Sequence, residues 1–335
     1  MRLAQRIELL VKLGQYMLGA DEDWQEAKTL AFRKNGWFLP EFIDLAVKNI
    51  ATSFLQEATL KKWTAAYPAL AADTNPSQLV GLVMAGNIPM VGFHDMLCIF
   101  ISGNKALVKA SSKDETLIPH LVKKMIGWEP EVEQLISFAA LLKGCDAYIA
   151  TGSDNTAGYF DYYFSKYPSL IRRNRTSAAI LTGRETTEEL EGLADDVQLY
   201  FGRGCRNVTK LFVPEQYGFE PLLRIFQKYD YLSEVHKYKN NYDYNLALYL
   251  LNHRFYMSTP ALLLVEDPSF FAPVSQLNYG YYSNRSDLAG ELINNSSVQC
   301  IVGHGYIPFG IAQKPAIDQY ADGADTLQFL LDLNA

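Results

Sequence analysis

Leu79-Val80-Gly81-Leu82-Val83-Met84 is a short, unbroken apolar run that stops at Ala85-Gly86-Asn87-Ile88-Pro89. Ala106-Leu107-Val108-Lys109 repeats the pattern, and Ala147-Tyr148-Ile149-Ala150 repeats it again ahead of Thr151-Gly152-Ser153. Helical spacing fills the intervals, at roughly 91–103, 114–127 and 130–142. Apolar strands separated by helices predict a parallel sheet covered on both faces. Sheets of that kind take ligands at the carboxyl ends of their strands, where the loops beginning at Gly86, Ala110 and Thr151 emerge.

Upstream, residues 1 to about 70 carry helical spacing, interrupted at Gly36 and again at Pro40, which is well placed to open a new helix. Downstream, Ser177-Ala178-Ala179-Ile180-Leu181, residues 209–213, Ala261-Leu262-Leu263-Leu264-Val265 and Val298-Gln299-Cys300-Ile301-Val302 predict a second strand-rich region. The polar break Arg172-Arg173-Asn174-Arg175 places the boundary between the two lobes near residues 170–178. The expected fold class is therefore α/β in two lobes, residues 1–175 and 176–335.

A chain of 335 residues with 49% hydrophobic and 20% charged content buries a large core and is neither disordered nor fibrous. Its net charge of −7 and the lack of a basic tract argue against nucleic acid and anionic membrane surfaces as partners. Four widely spaced cysteines without a Cys-x-x-Cys pair argue against structural zinc and against a disulfide framework. The five histidines, His94, His120, His236, His253 and His304, show no ligand spacing, so no metal is expected. No apolar run reaches membrane-spanning length, and the charged start of the chain lacks a cleavable leader pattern, so a cytoplasmic location is expected.

One cysteine stands apart. Cys205 lies in Phe201-Gly202-Arg203-Gly204-Cys205-Arg206-Asn207, directly before the apolar strand Lys210-Leu211-Phe212-Val213-Pro214. Two preceding glycines leave room around the sulfur, and the flanking arginines favour the thiolate, which is the nucleophilic form. Against this stands the ordinary reading of a free cysteine as a small buried apolar residue.

The strand-end loops offer weaker signals. Asn87 carries a side-chain amide able to donate to an oxyanion, or else it is a turn asparagine bonding its own backbone. Lys109 is placed to reach ribose hydroxyls, although most such lysines are simply solvated. Ser112 with Glu115 has capping-box spacing, which accounts for both without a ligand. Thr151, Gly152 and Ser153 precede a helix from Asp154 whose free amides suit a phosphate, or form a plain helix cap. His304, in Val302-Gly303-His304-Gly305, is a candidate proton donor or an ordinary loop histidine. No Gly-x-Gly-x-x-Gly follows any of these strands.

Taken in order, Asn87-Ile88-Pro89, Val108-Lys109-Ala110-Ser111, Thr151-Gly152-Ser153 and Gly204-Cys205 resemble the aldehyde dehydrogenase superfamily. Its members carry an Asn-aromatic-Pro turn, a Lys-Pro-Ser strand end, a Thr-Gly-Ser turn and a catalytic cysteine in that order. The closer resemblance is to LuxC-type acyl-CoA reductases. It rests on Gly86-Asn87-Ile88-Pro89, Lys109-Ala110-Ser111-Ser112-Lys113-Asp114, Tyr242-Asp243-Tyr244-Asn245, Ala272-Pro273-Val274-Ser275 and Phe309-Gly310-Ile311-Ala312-Gln313-Lys314-Pro315 with Tyr320-Ala321-Asp322-Gly323-Ala324-Asp325-Thr326.

The resemblance implies an aldehyde dehydrogenase-like fold. Residues 1–175 would form the helical N-terminus and dinucleotide-binding lobe, and 176–335 a catalytic lobe whose C-terminal segment returns toward the first. It implies that Cys205 accepts the acyl group, and that Asn87 and the Cys205 amide hold the oxyanion. Lys109 and Ser112 would face the adenosine ribose, with Ser153 near the pyrophosphate. An acyl-CoA or other acyl-thioester substrate and a homo-oligomer are expected. Alternatives are the reduction of another activated acyl group, such as an acyl phosphate, or a non-catalytic scaffold for an acyl-transfer partner.

Two departures from the superfamily pattern refine this. Its hydrolytic members place a water-activating glutamate between the Thr-Gly-Ser turn and the cysteine, whereas here no acidic residue occurs from Tyr162 to Arg184. An acyl-enzyme without that base would survive to accept hydride. Members preferring NAD often carry a glutamate three residues after the lysine. This chain has Ser112 there, beside Lys113, which favours NADPH, with NADH as the lesser expectation. Near Ala272-Pro273, Ser269 stands where a glutamate usually touches the nicotinamide ribose.

Overall fold

The structure, a computed structural model, describes residues 1–71, 77–152 and 154–333. Its chain divides into two compact units, Met1–Asn174 with Pro315–Ala335, and Arg175–Lys314.

The first unit begins with four helices, α1 (Leu3–Leu18), α2 (Glu22–Lys34), α3 (Pro40–Ser53) and α4 (Glu57–Ala65). Pro40 occupies the first turn of α3, where a missing amide hydrogen costs nothing. Asp21 opens α2 by accepting the Trp24 amide at 3.3 Å. The apolar faces of these helices join one core with the sheet that follows, through Leu10, Leu13, Phe38, Ile43, Val80, Leu82 and Val108 among others.

That sheet contains β1 (Leu79–Val83), β2 (Lys105–Lys109), β3 (Ile136–Phe138), β4 (Ala147–Thr151) and β5 (Ser169–Arg172), in the order β3-β2-β1-β4-β5. Every pairing is parallel. Helices α5 (Phe93–Ser102), α6 (Leu117–Trp128) and α7 (Asp154–Phe164) make three of the crossovers. The segment read as a helix over 130–142 is instead a single 3-10 turn, Pro130–Gln134, followed by β3. Glu129 is extended ahead of Pro130, as a residue before proline prefers, and this ends the helix.

The second unit is built on β6 (Thr176–Ile180), α8 (Thr187–Gln198), β7 (Val208–Pro214), α9 (Glu220–Phe226), α10 (His236–Leu251), β8 (Met257–Ser258), β9 (Leu263–Glu266), β10 (Gln276–Tyr282), α11 (Arg285–Ile293) and β11 (Val298–Val302). Its strand order is β11-β6-β7-β10-β9-β8, parallel except for the β8–β9 pair. Strand β10 is not among the strands expected from sequence; its Gln276 and Asn278 are polar, yet both are buried between β7 and β9. Helix α12 (Thr326–Asp332) closes the chain and belongs to the first unit. Among the described residues no helix is long and apolar enough to cross a membrane.

Candidate active site

Strands β2, β1 and β4 lie side by side, so their carboxyl-end loops share one edge of the first sheet. This edge gathers Asn87, Lys109, Ser112, Thr151 and Gly152; Ser153 lies outside the described residues. Lys109 and Ser112 are exposed, while Asn87, Thr151 and Gly152 are half-buried.

The two loops nearest the middle are tightly joined. Met84 donates to the Lys109 carbonyl at 3.1 Å. A Cβ on Gly86 would come within 2.7 Å of the Ser111 Cβ and 3.0 Å of the Lys113 Cβ, so only glycine permits this approach.

Ser112 is not a helix cap. Helix α6 starts at Leu117 with Thr116 in the cap position, and Ser112 sits in a turn closed by the Asp114 amide on the Ser111 carbonyl at 2.9 Å. The Ser-x-x-Glu spacing is there, but the buried carboxylate of Asp114 draws the chain inward and delays the helix.

At the end of β5, where the sequence lacks the water-activating glutamate, Arg172 is buried and committed elsewhere. Its Nη2 donates to Asp95 Oδ1 and to Thr326 Oγ1, each at 2.7 Å. A guanidinium held in a buried ion pair offers no base to a water molecule.

In the second unit, Cys205 is half-buried in the turn between α8 and β7. Burial raises the thiol pKa of Cys98, Cys145 and Cys300, which suppresses their thiolates. The backbone leading to Cys205 is unusual: Tyr200, Phe201 and Gly202 are all left-handed, with φ of 54°, 60° and 68°. Gly202 takes this conformation without penalty; Tyr200 and Phe201 do not.

Asn207, fully buried, holds the strained turn. Its Nδ2 donates to the carbonyls of Asp196, Val197 and Leu199 at 3.0, 3.3 and 2.9 Å, and its Oδ1 accepts the Gly204 amide at 2.8 Å. Its own backbone joins β6, through the Ser177 amide on the Asn207 carbonyl at 3.0 Å. Ser177 Oγ also donates to the Cys205 carbonyl at 3.0 Å. Asn207 is a functional residue whose only signal in the sequence is its position two residues after the cysteine.

Separate motifs converge around this turn. Asp196 accepts the amides of Gly310 and Ala312 at 2.7 and 3.0 Å, and Arg206 Nε donates to the Ala312 carbonyl at 2.5 Å. Burial pushes the Asp196 carboxyl up to about 7 against the opposing pull of those two amides. Gly192 of α8 packs so closely on Phe309 and Gly310 that an added Cβ would lie 2.8 Å from the Phe309 carbonyl carbon.

The loop Ser269–Val274 is fixed in the same way. Asn278 Nδ2 donates to the Ser269 and Phe271 carbonyls at 3.0 and 3.2 Å, and Asn245 Nδ2 to the Val274 carbonyl at 3.1 Å. Asn245 and Val274 come from two motifs 29 residues apart in sequence.

His304 is not brought to Cys205. It follows the carboxyl end of β11, where Gly303 packs against the Ile180 carbonyl, whereas Cys205 bonds Ser177 near the start of β6. Three residue steps along a strand separate those anchor points by about 10 Å. The imidazole Nε2 instead meets Glu189 Oε1 at 2.7 Å. The parallel strands carry His304, the candidate proton donor, to the edge of the sheet opposite the Cys205 turn.

The family model for acyl-CoA reductase (LuxC) matches residues 45–220. No curated protein sequence matches the chain. Among solved structures, an NADP-dependent enzyme of E. coli is similar with a TM-score of 0.69 at 12% identity, covering 90% of this chain and 73% of that one. Aldehyde dehydrogenase 21 from Physcomitrella patens, in complex with its reaction product succinate, reaches a TM-score of 0.69 at 11% identity, covering 100% and 85%. The NAD+ complex of an aldehyde dehydrogenase from Bacillus cereus reaches 0.64 at 13% identity, covering 90% and 72%. At these identities the likeness establishes a shared aldehyde dehydrogenase fold.

Proposed function

Since this chain belongs to the LuxC family of acyl-CoA reductases, oxidoreductases acting on aldehyde or acyl groups, we propose that it reduces a fatty acyl-CoA, or a related acyl thioester, to the aldehyde with NADPH. The observation that carries this reading is Cys205, a half-buried thiol in a turn that directly follows the left-handed stretch Tyr200–Gly202 and that Asn207 holds with four hydrogen bonds.

In this reading the Cys205 thiolate attacks the thioester carbonyl, forms the new carbon–sulfur bond and expels coenzyme A as its thiolate. Asn87 donates to the oxyanion of the tetrahedral stage. The nicotinamide cofactor, when bound, supplies the hydride that reduces the acyl group. Collapse of the thiohemiacetal on Cys205 then breaks the carbon–sulfur bond, releases the aldehyde and returns the thiol. Support for an acyl-enzyme that outlives water attack comes from Arg172, locked onto Asp95 in the stretch where a general base is missing.

The donors suit a dinucleotide. Lys109 and Ser112 stand at the carboxyl edge of a parallel sheet, and the amino end of α7 follows Thr151 and Gly152 on the same edge. Ser112 presents a small neutral side chain and Lys113 an exposed ammonium, a pairing that admits a 2′-phosphate.

Incubation with a panel of acyl-CoAs and both nicotinamide cofactors, followed by aldehyde detection, tests the reading. Aldehyde from acyl-CoA is expected. Cofactor oxidation with acyl phosphate alone would reassign the substrate, and no turnover with either would favour a scaffold. Asn87→Ala is expected to lower kcat by about a hundredfold or more while the protein stays folded, checked by steady-state kinetics and circular dichroism. Ser112→Glu is expected to reverse the cofactor preference, because a carboxylate repels a 2′-phosphate and accepts from a 2′-hydroxyl. The ratio of NADPH to NADH dissociation constants reads this out, and an unchanged ratio would remove Ser112 from the ribose site.

A further inference from the structure

We propose that Asp114 is a positioning residue that ties the Asn87 turn to the Lys109–Lys113 loop, so that the oxyanion donor and the cofactor loop are set as one piece. This rests on the function proposed above. Asp114 is itself buried, at 7% exposure, although its neighbours Lys113 and Glu115 are exposed. A carboxylate taken out of water requires compensating donors.

Part of that compensation comes from the Asn87 turn, which answers one of the two carboxyl oxygens. Asp114 Oδ2 accepts the Met90 amide at 2.8 Å, and Met90 is left-handed, with φ of 57°. A non-glycine residue stays in that region only when its surroundings hold it there. Burial pushes the Asp114 carboxyl up, while the amides of Met90 and Leu117 pull it down.

The geometry encloses Asn87 from both sides. On its amino side Gly86 is clasped between Ser111 and Lys113, and on its carboxyl side Met90 hangs on Asp114. Both anchors belong to the loop that follows Lys109. That loop is itself fixed from a third element, since Asn35 at the end of α2 donates from Nδ2 to the Lys113 carbonyl at 3.1 Å. Asn87 therefore cannot shift without the loop, and the loop cannot shift without Asn87.

The test compares Asp114→Ala with Asp114→Asn, whose amide oxygen can still accept from Met90. The alanine variant is expected to lose about tenfold to a hundredfold in kcat, the range for a reacting group misplaced by an ångström, with KM for NADPH held within about threefold. The asparagine variant is expected to recover most of the loss. Hydrogen exchange across residues 84–92 is expected to speed up in Asp114→Ala and not in Asp114→Asn. If alanine prevents folding, Asp114→Glu, one methylene too long for the Met90 amide, carries the same comparison.

Unchanged kcat in the alanine variant, or exchange at 84–92 equal to wild type, overturns the proposal. A wild-type protein that makes no aldehyde would count against the function instead. The exchange comparison would then decide the role of Asp114 by itself.

Discussion

Cys205→Ser is expected to cut acyl-CoA reduction by about a thousandfold or more, while the dissociation constant for NADPH stays within about a factor of two. A serine hydroxyl lacks the ionised fraction of a thiol, and His304, at the far edge of the sheet, is not placed to serve as its base. The residues proposed to hold the cofactor lie in the first unit, so the substitution leaves them untouched. Intact-mass measurement after mixing with acyl-CoA, without cofactor, is expected to show one acyl adduct on wild type and none on the variant. Iodoacetamide should label Cys205 first, because the thiols of Cys98, Cys145 and Cys300 are pushed up by burial. An acyl adduct persisting on Cys205→Ser would move the nucleophile elsewhere in the chain.

What could be read beforehand depended on local pattern. Apolar runs such as Leu79–Val83 need no partner to be recognised as buried strands, and Pro40 marks a helix start by its own chemistry. Asn87, Lys109 and Thr151 could be placed together because strand ends of one parallel sheet share an edge whatever the side chains do. Contacts between distant segments left no such trace. Strand β10 carries no apolar run to announce it, because the buried polarity of Gln276 and Asn278 is satisfied by each other, by Tyr249 and by the 269–271 carbonyls. Ser112 and Glu115 fitted a capping pattern that Asp114, pulled inward by Met90, prevents from forming. His304 looked available because its glycine-rich surroundings say nothing of which end of a strand they adorn. Asn207 was visible as a residue and invisible as a pin, because all four of its side-chain bonds are specified by the path of the preceding turn.

Asn207→Ala is expected to be the most damaging substitution around the thiol that leaves the thiol itself in place. Removing the amide strands the carbonyls of Asp196, Val197 and Leu199 and the Gly204 amide, in a place where the side chain has no exposure. A stranded buried polar group costs about 1–3 kcal/mol, and the set as a whole about 3–5 kcal/mol once the turn relaxes. Relaxation is favoured because Tyr200 and Phe201 sit in left-handed backbone at about 1–2 kcal/mol each. Stability lost in the midpoint of urea unfolding should therefore be accompanied by a changed iodoacetamide rate at Cys205 in the absence of urea. Asn207→Asp separates polarity from fit: it keeps the acceptor for Gly204 but points an anion at three carbonyl oxygens. It is expected to destabilise at least as much as alanine. An aspartate variant as stable as wild type would mean that the three carbonyl contacts do not hold the turn, and an alanine variant with unchanged thiol reactivity would mean that the left-handed backbone holds Cys205 unaided.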